Sequence, residues 1–247
     1  MTTKGPLPAQ PAASWWRPSR HVPPTPWQAS SRWKARPTTL AILVAGLWLF
    51  GTGEALLVRA DLGVAPWTVL AQGLTQHLPI GIGVATALVS AAVLVLWIPL
   101  RERPGLGTIA NALVIATSLQ VMSGVLPTPQ GVAVRMGAVV VGIVLIGIGS
   151  GMYLTTHLGP GPRDGWMTGI HLRTGWSVTH VRIGIELMAL AIGWALGGTV
   201  GIGTVLFAIL VGPSVGYSLM AIGRLGGRAA AAVDTADLDD VHPEAEA

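Results

Sequence analysis

Six apolar segments, each long enough to cross a bilayer, lie at roughly 39–58, 80–100, 105–126, 133–156, 178–197 and 202–223. A hydrocarbon core of roughly 30 Å takes about 20 such residues in a helix. Inside it every backbone N–H and C=O must be paired within the chain, which leaves only helices or a closed barrel as spanning structures. Runs of this length and composition are helical, so the chain is expected to be an all-α polytopic membrane protein with the lipid bilayer as its main partner. Charge agrees: 11% of the 247 residues are Asp, Glu, Lys or Arg, and the mean hydropathy is +0.61. A soluble domain carries about 25%.

The charges that remain are gathered near the ends. Lys4, Arg17, Arg20, Arg32, Lys34 and Arg36 precede the first apolar run, and no acid occurs before Glu54. From Ala229 onward there are six acids and no Lys or Arg. A basic tail beside a first membrane helix is what the positive-inside rule produces, and Trp15, Trp16, Trp27 and Trp33 among those cations suit the headgroup layer. Both termini are therefore expected in the cytoplasm. The sequence pI near 10.3 does not point to nucleic acid, because the motifs that read bases are absent. The polar lead of 38 residues and the long apolar run after it are those of an uncleaved signal anchor rather than a removable signal peptide. Five parts follow: a basic, Pro-rich tail at 1–38, expected to be disordered or surface-lying, a membrane segment at 39–126, a linker at 127–132, a second membrane segment at 133–223 and an acidic tail at 224–247.

Two stretches break the pattern. LGVAPWTVLAQGL begins at Leu62 and LGPGPRDGWMTGI at Leu158, 96 residues later. Sliding the chain by 96 aligns 42–124 with 138–220 without a gap, with 16 identities in 83 positions. The identities gather at turn-forming residues: Gly51 and Gly53 meet Gly147 and Gly149, Leu62, Gly63, Pro66 and Gly73 meet Leu158, Gly159, Pro162 and Gly169, and Gly105, Gly107 and Thr108 meet Gly201, Gly203 and Thr204. Chance matching of apolar residues would scatter them. The expectation is a duplication of a unit of about 83 residues.

RADLGVAPW after the first apolar run, followed some 40 residues on by GLGTIAN, resembles the bacterial YczE-like membrane proteins, relatives of the YitT family. The resemblance covers about 40–222. The second half follows the pattern more loosely, with Arg163 in place of Trp67 and Phe207 in place of Asn111. It implies a multi-pass protein of the bacterial plasma membrane and names no activity.

The two short segments, about 63–78 and 160–173, decide the topology. If they span, there are eight spans and the repeats run parallel. If they re-enter, six spans and two half-length segments make two inverted repeats. Fourteen to sixteen residues at 1.5 Å each cover about 21–24 Å, less than the hydrocarbon core. The inverted arrangement also collects Arg101, Arg103, Arg163, Arg173 and Arg182 on the cytoplasmic side, leaving Arg59 and Arg135 outside, as the positive-inside rule prefers. Short Gly/Pro-interrupted segments at matching places in two halves are the best sequence pointer to a transport site. With Pro66 and Pro162 in their first turns, their N-termini would favour an anionic group or a polar oxygen.

Candidate residues for a substrate or ion site are Glu54, Arg59, Asp61, Pro66, Trp67, Gln72, Thr108, Asn111, Pro162, Arg163, Asp164, Trp166, Glu186 and Thr204. Each has a plainer role beside the functional one. Arg59, Asp61, Arg163 and Asp164 flank the short segments and would serve equally as headgroup anchors or local ion pairs, and Trp67 and Trp166 as interfacial aromatics. Glu54 and Glu186 are ionisable residues within spans, a functional hypothesis by default, although Arg182 lies one helical turn before Glu186 and can pair with it. The glycines of GLGT and GIGT allow close helix approach and lack the lysine of a phosphate loop. His77, His157, His171 and His180 have no metal-ligand spacing and there is no cysteine, so no metal, disulfide or thiol chemistry is expected. No cofactor or enzyme activity is expected either. The leading expectation is a small permease for an unknown, anionic solute. The alternative is a regulatory or scaffold protein acting through its tails. GIGSG at 147–151 invites close packing, either in a homodimer or within the chain.

Overall fold

The structure is a computed structural model that describes residues 21–239, with side chains described as far as 226. Lys4, Trp15, Trp16, Arg17, Arg20 and the end of the acidic tail lie outside the described residues, as does the side chain of Arg228. The elements are α1 (Pro37–Ala60), α2 (Pro66–His77), α3 (Ile82–Val95), α4 (Trp97–Leu100), α5 (Leu106–Val125), α6 (Val132–Leu154), α7 (Pro162–Thr174), α8 (Val178–Ala195) and α9 (Ile202–Asp239). Six stretches are long and apolar enough to cross a membrane: α1, α3 with α4, α5, α6, α8 and the first part of α9, Ile202–Gly226. No named β-strand occurs among the described residues. α2 and α7 have 12 and 13 residues, a rise of about 18–20 Å.

The local causes are legible. Pro37, Pro66 and Pro162 open α1, α2 and α7, where a missing N–H costs no hydrogen bond. Thr108 and Thr204 explain the GxGT motif: each hydroxyl accepts the N–H of the glycine three residues before it, Gly105 at 3.1 Å and Gly201 at 3.3 Å. The middle glycine of each motif bonds away from its own helix. Gly107 N–H donates to Leu158 O at 2.8 Å, and Gly203 N–H to Leu62 O at 2.7 Å. Both bonds hold the approach to a short helix. Gly63 and Gly159 there have φ of 102° and 118°, each two residues after another left-handed residue, Asp61 at 50° and His157 at 55°. A side chain at Gly63 or Gly159 would be strained.

α1 and α6 cross antiparallel at the centre, with Gly46 against Gly149 and Gly53 against Gly142. A Cβ on Gly53 would stand 2.5 Å from Gly142 O. α5 packs on α1 through Ser118, set against Gly51 and donating to Trp48 O at 2.7 Å. α9 packs on α6 in the same manner, with Ser214 against Gly147. Gly147, Gly149 and Gly151 of GIGSG thus meet Ser214, Gly46 and Ser218 of their own chain. A second group forms around Trp67, Val89, Val93, Trp97, Val181, Ile185 and Ala189 from α2, α3, α4 and α8. α7 joins it with Gly165 beneath the Trp97 ring, whose Nε1 donates to Pro162 O at 2.8 Å.

The two groups meet along two seams that differ. α3 lies on α5: Gly83 N–H donates to Gln120 Oε1 at 2.8 Å, and Ala112, Ala116 and Leu119 are buried. α8 makes no comparable contact with α9. Ala208 and Gly212 on the facing side of α9 are exposed, and a Cβ on Gly212 would meet nothing within 4 Å.

Residues 21–36 run over one end of the bundle. Thr25 Oγ1 donates to Thr155 O at 3.2 Å, Trp27 Nε1 to Thr155 Oγ1 at 3.1 Å, and Ala29 N–H to Thr156 O at 3.0 Å. The Arg32 backbone O accepts from Leu106 N–H at 2.9 Å, and Pro23 rests on Gly223. This part of the basic tail is held in place on the surface. Toward the C-terminus, α9 continues as helix through 224–239, into the segment read as the acidic tail.

Candidate functional site

One cavity of about 360 Å³ lies between the two groups of helices, within the range of small-molecule sites. Its walls include the N-terminal ends of both short helices: Ala65, Pro66 and Trp67 of α2, and Gly161, Pro162, Arg163 and Asp164 of α7. The first turn of a helix leaves N–H groups without intrahelical partners and carries the positive end of its dipole. Two such ends face one space.

The charged side chains are unevenly partnered. Arg163 lies over the Trp67 ring, Cζ 5.0 Å from its centroid, and Trp67 meets Trp166 edge-on at 6.2 Å. Among the described residues no carboxylate stands within 4 Å of the Arg163 guanidinium, which feels the charges of Glu54, Asp164 and Glu186 from farther away, whereas Arg182 and Glu186 pair at 3.0 Å on α8. Asp164 Oδ2 accepts from Tyr153 Oη at 2.9 Å. Glu54 lies behind Trp67, 2% exposed, with Oε2 accepting from Thr68 Oγ1 at 2.5 Å and Oε1 buried with no hydrogen-bond partner. The two carboxylate–hydroxyl pairs are exchanged between the halves. On the α1–α2 side the spanning helix carries the acid and the short helix the hydroxyl, and on the α6–α7 side the reverse.

Of the candidates read from the sequence, Pro66, Trp67, Asn111, Pro162, Arg163, Asp164 and Glu186 line the cavity, with Glu54 and Trp166 packed against Thr68 and Trp67. The others lie elsewhere. Arg59 hydrogen-bonds Thr128, and Asp61 pairs with Arg135 at 3.1 Å, in a small surface recess that also holds Gln130. Gln72 accepts from Thr199 N–H at 3.1 Å and ties α2 to the loop before α9. Thr108 and Thr204 are the helix-start caps described above, and Thr108 also donates to Pro160 O at 2.7 Å. The sequence reading missed Tyr153, Ser150, Thr86 and, as part of the cavity wall, Ser90 and Arg182, which all line it. The 96-residue offset carried a signal for most of them: Thr86 and Ser90 correspond to Arg182 and Glu186, and Ser150 to Glu54. Tyr153 corresponds to Leu57 and had no such pointer. No group of three or more His, Cys, Asp or Glu able to hold a metal ion occurs among the described residues.

Residues 37–219 match a family of unknown function (DUF6198). An uncharacterized protein of Haemophilus influenzae is 44% identical over 206 residues, 83% of this chain and 94% of that one. The uncharacterized membrane protein YczE of Bacillus subtilis is 35% identical over 181 residues, 71% of this chain and 82% of that one. No solved structure matches the chain. With six spanning-length helices and these relatives, the chain belongs to the DUF6198 family of YczE-like membrane proteins.

Proposed function

We propose that this protein is a small permease of the bacterial plasma membrane that moves an anionic solute through the cavity between α2 and α7. The observation that carries the proposal is that both short helices point their N-termini into one cavity where, among the described residues, Arg163 makes no direct ion pair within 4 Å. In this reading α2 and α7 re-enter the membrane and the two halves are inverted repeats. Support comes from contacts that recur on exchange of the halves: Gly46 with Gly149 and Gly53 with Gly142, Gly107 with Leu158 and Gly203 with Leu62. Arg163 stacks on Trp67, its own counterpart at the 96-residue offset, as residues beside a twofold axis do. The antiparallel crossing of α1 and α6 supports this reading over eight spans in parallel repeats, which would run those helices the same way. Leu62 before α2 bonds the start of α9, and Gly83 after α2 bonds the last turns of α5, both at the end where α1 finishes.

The charge pattern supports an orientation. Arg32, Lys34, Arg36, Arg101, Arg103, Arg173 and Arg224 lie toward the end where α1 begins, and Arg59 and Arg135 toward the other. That end, with both termini, is then cytoplasmic. A permease also needs a second state. The closed α3–α5 seam and open α8–α9 seam are alternatives related by the repeat, and exchanging them would move the opening from one face to the other. Pro213 inside α9 removes the hydrogen bond to Ile209 O beside the open seam, giving that helix a place to bend.

The test uses a chain that contains no cysteine. Ser90→Cys puts a thiol on the cavity wall near mid-membrane. In a permease a membrane-impermeant maleimide labels it in both right-side-out and inverted vesicles. Labelling from one face alone, whatever the conditions, would sink the permease reading in favour of a static membrane protein.

A further inference from the structure

The cavity has two kinds of wall. Arg163, Asp164, Asn111, Tyr153, Arg182 and Glu186 supply one side. Phe50, Ile146, Phe207, Val211, Val215 and Leu219 supply the other. The apolar side runs along α9 to the open seam, where Gly212 is bare and α8 stands away. In a helix bundle of spanning length, a gap between two outer helices faces hydrocarbon. Apolar side chains exposed beside it, Ile183 at 52% and Ile209 at 62%, suit acyl chains rather than water.

We infer that the solute is an amphiphilic anion that reaches the cavity from the bilayer through the seam between α8 and α9. Its headgroup lies at Arg163 between the N-termini of α2 and α7, and its apolar tail lies along Phe207, Val211 and Val215. Arg163 is the headgroup ligand because its planar face is already held on Trp67 while no described carboxylate makes a direct ion pair with it, Glu54, Asp164 and Glu186 acting on it only from beyond 4 Å, an arrangement that leaves its N–H groups open to a carboxylate or phosphate. Arg182 is tied to Glu186 and guards the passage. A purely polar anion would leave the α9 wall uncovered, and a purely apolar molecule would leave the Arg163 guanidinium without a direct ion pair and two helix N-termini without a ligand. This inference rests on the cavity being the transport site.

The experiment uses the full chain in phosphatidylcholine vesicles doped with either phosphatidic acid or phosphatidylcholine carrying a photoreactive group in the acyl chain. Adducts are mapped by mass spectrometry. The expected result is labelling of Phe207 and Val211 by the anionic probe. It falls by about tenfold in Arg163→Gln, the loss of one charge-assisted hydrogen bond, and likewise in Gly212→Trp, which fills the seam where nothing stands within 4 Å. Labelling of outward-facing Ile183 and Ile209 stays unchanged. Adducts confined to those outward residues with both probes overturn the inference. So does equal labelling of Phe207 by both probes without regard to Arg163→Gln, which is ordinary lipid filling a gap. Disulfide-linked dimers of Gly212→Cys, with no adducts inside, show instead that a second copy covers the seam. Ser90→Cys on the same vesicles separates the two proposals. If it reacts from both faces while the adducts fail, the permease stands and its amphiphilic substrate falls.

Discussion

The α3–α5 seam and the α8–α9 seam occupy corresponding places in the two halves of the sequence, and their chemistry explains why one is closed and the other open. On the closed seam α3 carries Thr86 and Ser90 and α5 carries Ala112, Ala116 and Leu119, all five buried. Small neutral groups bury at little cost when their hydroxyls find a carbonyl, as Thr86 does with Ile82 O at 2.9 Å. On the open seam the corresponding α8 residues are Arg182 and Glu186, and α9 offers Ala208, Gly212 and Val215. Closing that seam would press the half-exposed ion pair on the cavity wall against an apolar face, and burying charges in apolar surroundings costs several kcal/mol per ion before any attraction is recovered. One seam is therefore sealed by packing and the other is held open by charge. Gly216 stands where Gln120 bonds Gly83, so the open seam also lacks the amide that latches the closed one.

The largest effect that would sharpen this comparison comes from placing the same side chain at a tight and at an open glycine. Gly53→Leu drives a branched chain into Gly142 O and should abolish the monodisperse protein or lower its melting temperature steeply, since overpacking alone costs about 1–3 kcal/mol and a backbone clash more. Gly212→Leu should leave the melting temperature unchanged. A comparable loss in both variants would mean that α9 is packed at Gly212 after all.

Next in size is the exchanged pair of carboxylates. Thr68→Val removes the hydrogen-bond partner of Glu54 Oε2 and leaves a fully buried carboxyl, with an expected loss of about 1–3 kcal/mol. Tyr153→Phe removes the partner of Asp164, which lines the cavity and is only partly buried, so thermal melts should show the smaller loss of the two. A smaller loss still is expected from Gln120→Ala, about 0.5–1.5 kcal/mol for one hydrogen bond. It should carry a signature that a purely structural role lacks: faster labelling of Ser90→Cys from the face opposite the basic one, because it frees the α3–α5 latch. The smallest effect is Arg182→Gln. Its pair with Glu186 is half-exposed, with side-chain exposures of 52% and 33%, and such pairs contribute less than about 1 kcal/mol. A drop of several kcal/mol would show the seam to be closed and the pair buried.

Much of the fold was legible because its causes are local. The six apolar runs located the spans within a few residues, and Pro66 and Pro162 marked the first turn of each short helix. The GxGT segments were read as close-packing sites, and they are that, but their threonines cap the helix start, a role visible only once Gly105 and Gly201 are seen to lack helical partners. Of the site, the short helices led to Arg163, Asp164 and Trp67. Sequence proximity misled at Arg59, Asp61 and Gln72, which sit near the same helix yet turn to Thr128, Arg135 and Thr199. Tyr153 was hidden because its partner, Asp164, lies across a turn whose path depends on Gly159 adopting a positive φ. The open seam was hidden for a different reason. It is a missing contact, and a hydrophobic pattern identifies faces that want burial without saying which of them are covered.

The most direct test of the account is whether the two seams exchange. Nitroxides at Val84→Cys and Val121→Cys report the closed seam, and at His180→Cys and Tyr217→Cys, their counterparts at the 96-residue offset, the open one. All four positions are exposed, and the chain brings no cysteine of its own. Pulsed electron–electron resonance in liposomes should give two distances for each pair, the long population of 84–121 matching in size the short population of 180–217. A single distance for each pair, short for the first and long for the second under every lipid and pH condition, would contradict the account and leave the cavity a fixed feature of a static membrane protein.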